Sequence, residues 1–287
     1  MIQNAFYLED VSIEGAYTEE SILATKNFQS RQDDIYLLTY PRTGTTWTQN
    51  ILIGMVYGLD ELSQTGQSEM RFKFPYLEIC FEKEGWGHEV ANQITSSPRM
   101  LKSHMPSHLA PREIFSNLRK NIVVVRNPKD TALSLFKFYQ TEPTLVGFKK
   151  TDDLDEFLLQ IFLEGKLNCG SWWEWTKSWI EKCREYPSNH LLIHYEDLHQ
   201  KFEEAIGQIS DFLGKKRLDD KYIQDLKIAT AVDSMKARYE RNSQEKDMVN
   251  KGQMNRWKSE FSLQIAEKFD DMTRKTFKDD DIATKFI

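Results

Sequence analysis

An arginine and three threonines fall within the five residues Arg42 to Thr46, around a single glycine, Gly44. That is a dense set of anion donors: Arg42 brings a full positive charge, and Thr43, Thr45 and Thr46 bring hydroxyls. The residues before them, Ile35-Tyr-Leu-Leu-Thr-Tyr40, are uncharged and β-prone, as in a strand buried on both faces. The residues after them place Trp47, Ile51, Leu52, Met55 and Val56 at helical spacing. Pro41 ends the strand and Gly44 permits a tight bend. A strand, a short loop and a helix start make an anion site. The first-turn N–H groups have no intrahelical acceptor, and the helix dipole adds partial positive charge there. The loop is not a Walker A motif, because Thr39 and Thr45 stand where that motif needs a glycine and a lysine. The expected ligand group is a phosphate or sulfate rather than an NTP with Mg²⁺. The plainer alternative is an ordinary strand-to-helix turn with an N-cap threonine; the donor density favours the anion site.

Two further segments carry chemistry. Met100 to Lys102 reads as a short strand, and the prolines at 106 and 111 exclude a helix after it. That presents His104 beside Lys102 at a strand end. A neutral imidazole there can take a proton. A single histidine is more often structural, and nothing distinguishes the neighbouring His108. Asn121 to Val125 is a second buried strand, Arg126-Asn127-Pro128 a turn, and Lys129 to Tyr139 a helix. Arg126 and Ser134 can both point into the crevice at the carboxyl edge of a parallel sheet. That makes a second anion subsite, set against the plain reading of a surface arginine and an exposed serine.

Stepped strand–turn–helix units require an α/β fold. The expectation is a single domain over residues 35–287, with a central parallel sheet flanked by helices. Residues 1–34 read as a peripheral arm with one amphipathic stretch, Glu19 to Phe28. Residues 59–72, polar with Gly66 among serines and glutamines, read as a mobile loop leading to Phe74 and Tyr76. Trp172, Trp175 and Trp179 share one helical face and read as core. Residues 236–250 are almost wholly polar and read as a solvated loop. A net charge of −6 argues against a nucleic-acid or anionic-membrane surface. No apolar run reaches the roughly 18 residues of a membrane span, and no secretory signal opens the chain. The cysteines Cys80, Cys169 and Cys183 have no metal-ligand spacing and make no even disulfide set, so a reduced compartment without a metal is expected.

The motifs together resemble the cytosolic sulfotransferases. Tyr40-Pro41-Arg42-Thr43-Gly44-Thr45-Thr46-Trp47 is similar to the family's Tyr-Pro-Lys-Ser-Gly-Thr-Thr-Trp loop. Lys102-Ser103-His104-Met105-Pro106 resembles Lys-Thr-His-Leu-Pro. Arg126 to Asp130 matches Arg-Asn-Pro-Lys-Asp, with Ser134 in the expected place. Gly170-Ser171-Trp172 and Tyr195-Glu196-Asp197-Leu198 also look like family segments, so the resemblance runs from about residue 30 to residue 267. It implies a cytoplasmic setting and transfer of a sulfuryl group from 3′-phosphoadenosine 5′-phosphosulfate to an alcohol, phenol or amine, on a P-loop-like phosphosulfate-binding loop. It assigns His104, Lys102 and Arg42 to catalysis, and the loop Arg42 to Trp47 to the co-substrate's 5′ side. It puts Arg126, Ser134, Lys251 and Gly252 at the 3′-phosphate, and Tyr195, Thr230, Val232 and Met235 on the adenine side with Trp47. Phe74, Tyr76 and Phe138 would line the acceptor pocket with Lys102 and His104.

Three departures stand out. The family's loop lysine is Arg42, the Arg of its Arg-Lys-Gly is Asn250, and the Phe it uses against adenine is Val232. Residues 236–250 would be a lid. Lys258, Ser262, Leu263 and Glu267 keep the spacing of the family's dimer motif, which implies a small homodimer contact. The rival readings are a non-catalytic nucleotide-binding relative and a Mg²⁺-dependent phosphotransferase.

Overall fold

The computed structural model describes residues 6–8, 11–13, 17–81, 85–116, 118–141, 151–167, 169–216, 218–242, 252–278, 282 and 285–287. Four strands form the central sheet in the order Met100–Ser103, Ile35–Thr39, Lys120–Val125, His190–His194. All three pairings are parallel. The two inner strands are buried nearly throughout, which is why they read as unbroken apolar runs. Alternate residues serve opposite faces. Tyr36, Leu38, Val123 and Val125 join a core with Trp172, Trp179 and Phe269, while Ile35, Leu37, Ile122 and Val124 join one with Ile51, Phe202 and Ile206. Helices therefore cover both faces of a single α/β domain.

The register aligns the functional ends. Leu38 pairs with Ser103, Thr39 with Val124 and Val125 with His194. The residues just beyond these ends are Tyr40, His104, Arg126 and Tyr195, so four separate segments emerge at one edge. The outer side of the Met100–Ser103 strand is closed by residues 75–77: Lys102 N–H donates to the Pro75 carbonyl (3.0 Å) and Leu77 N–H to the Lys102 carbonyl (3.1 Å). That closure sets Tyr76 against Lys102.

Residues 59–72 are not a loop. They form the helices Leu59–Gln64 and Gln67–Lys73, broken at Thr65-Gly66. A few apolar positions suffice, because Leu62 and Met70 are buried and the Glu69 carboxylate accepts the Gly66 N–H at 3.0 Å. The start of the expected polar loop at 236–250 is also helical, within Val232–Asn242, and buries Arg238 and Tyr239. Arg238 donates to the Thr65 carbonyl at 3.1 Å and Tyr239 accepts from Asn50 at 2.7 Å. Residues 243–250 lie outside the described residues. The first 34 residues contribute the helix Glu19–Lys26, with Tyr17, Ile22 and Phe28 in the core.

Candidate functional site

The loop after Ile35–Thr39 turns on two left-handed residues, Arg42 (φ 69°) and Gly44 (φ 101°). At Gly44 the need for glycine is twofold: the dihedral itself, and the Tyr195 ring, whose Cδ2 would lie 2.5 Å from an added Cβ. The helix Thr45–Tyr57 begins directly after it. The three loop hydroxyls are not equivalent. Thr43 is fully buried and donates to the Tyr40 carbonyl at 2.8 Å, which ties the loop down. Thr45 pairs with the Thr39 hydroxyl at 2.8 Å. Thr46 is half-buried at the helix start. Residue type identified these as donors; the fold has already committed Thr43 to the backbone.

Arg42 crosses to the next motif. Its Nε is 3.4 Å from the Ser134 hydroxyl and its guanidinium carbon 4.7 Å from the Phe138 ring centre. Burial and the neighbouring Arg126 pull its guanidinium down to about 10. Arg126 donates from Nη1 to the Arg42 carbonyl and from Nη2 to the Gln253 carbonyl, both at 3.1 Å, while its buried Nε has no partner among the described residues. Among those residues, neither arginine has a carboxylate in ion-pair range. Two adjacent guanidinium groups with no carboxylate in ion-pair range among the described residues can hold an anion. Arg126 also lies over the Tyr195 ring, 4.3 Å from its centre.

The second turn organises the chain around Gly252. Asp130, nearly buried on the helix Pro128–Thr141, accepts the Asn255 N–H at 2.7 Å. Asn127 N–H donates to Glu196 (2.9 Å), and its amide donates to the Phe286 carbonyl (3.1 Å). Gly252 (φ 61°) would place a Cβ 2.9 Å from Val232 and 3.9 Å from the Tyr195 hydroxyl. Trp47 packs edge-on to Tyr195, with ring centres 5.5 Å apart. Arg42, Gly44, Trp47, Arg126, Ser134, Tyr195, Val232 and Gly252 thus converge. Thr230 does not present its hydroxyl: it is fully buried and donates to the Leu226 carbonyl at 2.8 Å. Met235 is buried on the Val232–Asn242 helix. Asn250 and Lys251 lie outside the described residues.

His104 stands at the end of its strand with Nδ1 2.6 Å from the Thr39 carbonyl. A carbonyl only accepts, so Nδ1 carries the proton and Nε2 keeps its lone pair. Burial, then Lys102 and Arg42, push the imidazole down to about 3. This is lower than an ordinary histidine, and it keeps the ring neutral throughout the physiological range. The backbone behind it is held by two buried indoles: Trp175 donates to the His104 carbonyl (2.9 Å) and Trp179 to the Met105 carbonyl (3.1 Å). Tryptophans expected as core are core, and they also fix the histidine's segment.

Lys102 is half-buried with Nζ 4.6 Å from the Tyr76 ring centre, and burial pulls it down to about 8. Tyr76 meets His104 edge-on at 4.6 Å and hydrogen-bonds the Tyr17 hydroxyl. Glu78, fully buried, accepts from the Ser103 hydroxyl, and burial pushes it up to about 7. Sequence reading missed Tyr17 and Glu78. The one available signal for Glu78 was an acid inside the otherwise apolar Phe74-Pro-Tyr-Leu-Glu-Ile79. Phe74 corrects the expected pocket in the other direction. It ends the Gln67–Lys73 helix and packs into the core on the opposite sheet face, with Met70 and Met100. Phe138 stays near Arg42.

Residues 32–281 match the family model described as the sulfotransferase domain. Sulfotransferase 1E1 of Bos taurus is 30% identical over 254 residues, covering 85% of this chain and 83% of that protein. Cytosolic sulfotransferase 1 of Danio rerio is 29% identical over 280 residues, covering 95% and 92%. Among solved structures, a mouse sulfotransferase, SULT7A1, complexed with PAP superposes with a TM-score of 0.78 at 22% identity, covering 98% of this chain and 97% of that one. Retinol dehydratase in complex with androsterone and PAP gives 0.77 at 20% identity, covering 94% and 87%.

Proposed function

Since the chain belongs to the sulfotransferase family, we propose that it moves a sulfuryl group from 3′-phosphoadenosine 5′-phosphosulfate to a hydroxyl or amine of a small apolar or aromatic acceptor, with His104 as general base. The observation that carries this reading is the fixed tautomer of His104, with Lys102 and Arg42 close enough to lower its pKa. Nε2 accepts the acceptor's proton as the acceptor oxygen or nitrogen bonds to sulfur. The bond from sulfur to the 5′-phosphate oxygen breaks, and that oxygen leaves with negative charge. Lys102 and Arg42 match the charge on the sulfuryl oxygens and on the leaving phosphate. A bound anion between those cations offsets part of their repulsion of a protonated imidazole, so His104 becomes a better base once the co-substrate is in place.

Arg126, Ser134, Lys251 and the Gly252 amide hold the 3′-phosphate, and Tyr195 with Trp47 flanks the adenosine. The paired hydroxyls of Tyr17 and Tyr76 and the Phe138 ring support an aromatic acceptor beside the histidine. The neutral imidazole needs no metal for this role. Replacing His104 with alanine is expected to lower transfer by ~10²–10⁴-fold. Calorimetric affinity for adenosine 3′,5′-bisphosphate should stay nearly unchanged. Equal loss of both would make His104 a structural residue.

The same reading gives the chain a cytoplasmic setting, and among the described residues no helix is long and apolar enough to cross a membrane. Homodimerisation through Lys258 to Glu267 is supported by Leu263, which is 75% exposed at the start of the helix Leu263–Phe277. Light scattering tests it: a monomer at micromolar concentration removes the dimer.

A further inference from the structure

The purine end of the nucleotide site lacks one ring that the resemblance implies, because residue 232 is valine. The fold brings another ring to that place. His199, one turn after Tyr195 on the helix Tyr195–Gln200, lies 4.4 Å from the Trp47 ring centre and 4.7 Å from that of Tyr195. Its Cε1 would be 3.9 Å from a Cβ on Gly252, the glycine that also approaches Val232. Three segments remote in sequence therefore meet around this imidazole. Its Nε2 is shut off from solvent and has no hydrogen-bond partner among the described residues. The residue as a whole is only half-buried, so the surface open to a ligand lies elsewhere on it than that nitrogen.

We infer that His199 contacts the purine of the bound nucleotide, its ring packing on the base. The inference rests on the nucleotide assignment above and adds a contact to it. Burial and nearby Arg126 hold the imidazole down to about 4, so the ring that meets the base is neutral at physiological pH and does not compete for phosphate. The role fits the departure at 232: Val232 supplies a flat aliphatic wall, and the aromatic contact moves to the neighbouring helix.

Calorimetry on the full chain tests this with two probes, adenosine 3′,5′-bisphosphate and uridine 3′,5′-bisphosphate. In His199→Ala, affinity for the adenosine probe should fall about tenfold, the size of one lost base–ring stack. Affinity for the uridine probe should fall much less, so the purine preference of the unsubstituted chain collapses. His199→Phe keeps an aromatic ring, and should recover most of the adenosine affinity. Unchanged adenosine affinity in His199→Ala, or an equal loss for both probes, overturns the inference while leaving the sulfotransferase assignment standing. If the unsubstituted chain binds neither probe, the assignment itself falls and takes this contact with it.

Discussion

The turn after Ile35–Thr39 and the turn after Lys120–Val125 lie side by side, linked by the bond from Arg126 to the Arg42 carbonyl. The first is built from strained backbone and a loosely committed side chain. Arg42 and Gly44 are both left-handed, and among the described residues the Arg42 guanidinium meets a long contact to Ser134 and the face of Phe138. The second turn is locked. Arg126 gives both Nη groups to carbonyls, Asn127 is bracketed by Glu196 and Phe286, and Asp130 carries the Asn255 amide. Similar sequence patterns thus yield a turn whose cation is held by few contacts among the described residues and a turn that builds a platform for a third segment. Strain stored at the first is tolerable because the second over-determines its surroundings.

That contrast is open to direct attack. Gly44→Ala strikes the strained turn where backbone angle and the Tyr195 ring both forbid a Cβ. Affinity for adenosine 3′,5′-bisphosphate should drop on the order of 100-fold by calorimetry, from about 3 kcal/mol of strain and displacement. Asp130→Ala removes a nearly buried carboxylate from a backbone amide. It should lower unfolding free energy by about 2 kcal/mol in urea titration and weaken nucleotide binding with it. If Asp130→Ala left both intact, the second turn would not be a platform.

The corner around His104 and Lys102 sharpens the comparison through pH. Lys102 sits at about 8, and the Glu78 charge is what raises it against burial. If Lys102 acts as a cation, kcat/KM falls as pH rises through about 8. In Glu78→Gln that falling limb should move toward acid, because the supporting charge is gone. Stability responds with its own sign. Glu78 is raised in the fold from an ordinary value of 4.5 to about 7, so its contribution is full below 4.5 and is lost as pH rises through 7. Melting temperature in Glu78→Gln should therefore decline less over that window than in the unsubstituted chain. The smallest effect belongs to Arg42→Lys, which keeps the charge at the freer turn. Transfer should change by about threefold, since mainly the bond geometry is altered.

Much of this arrangement was legible before the fold was seen. The inner strands are covered on both faces, so their burial wrote itself as uninterrupted apolar sequence, and each was followed by a turn rich in donors. Local spacing could not say which hydroxyls face inward: Thr43 and Thr230 spend theirs on carbonyls that only the fold supplies. Nor could it bring Tyr17, Glu78 and His199 to the site, since their partners are set by sheet register and helix docking. The 59–72 segment misled because two buried apolar side chains anchor helices whose other faces are polar.

The indoles behind His104 have an experimental consequence. Trp175 is bonded to the carbonyl of His104, and Trp47 stands half-buried beside Tyr195 and His199. The chain therefore carries native fluorophores in both halves of its cleft. Ligand arrival at either half can be followed as a change in ultraviolet emission from unlabelled protein, with single Trp→Phe replacements telling which half responded first.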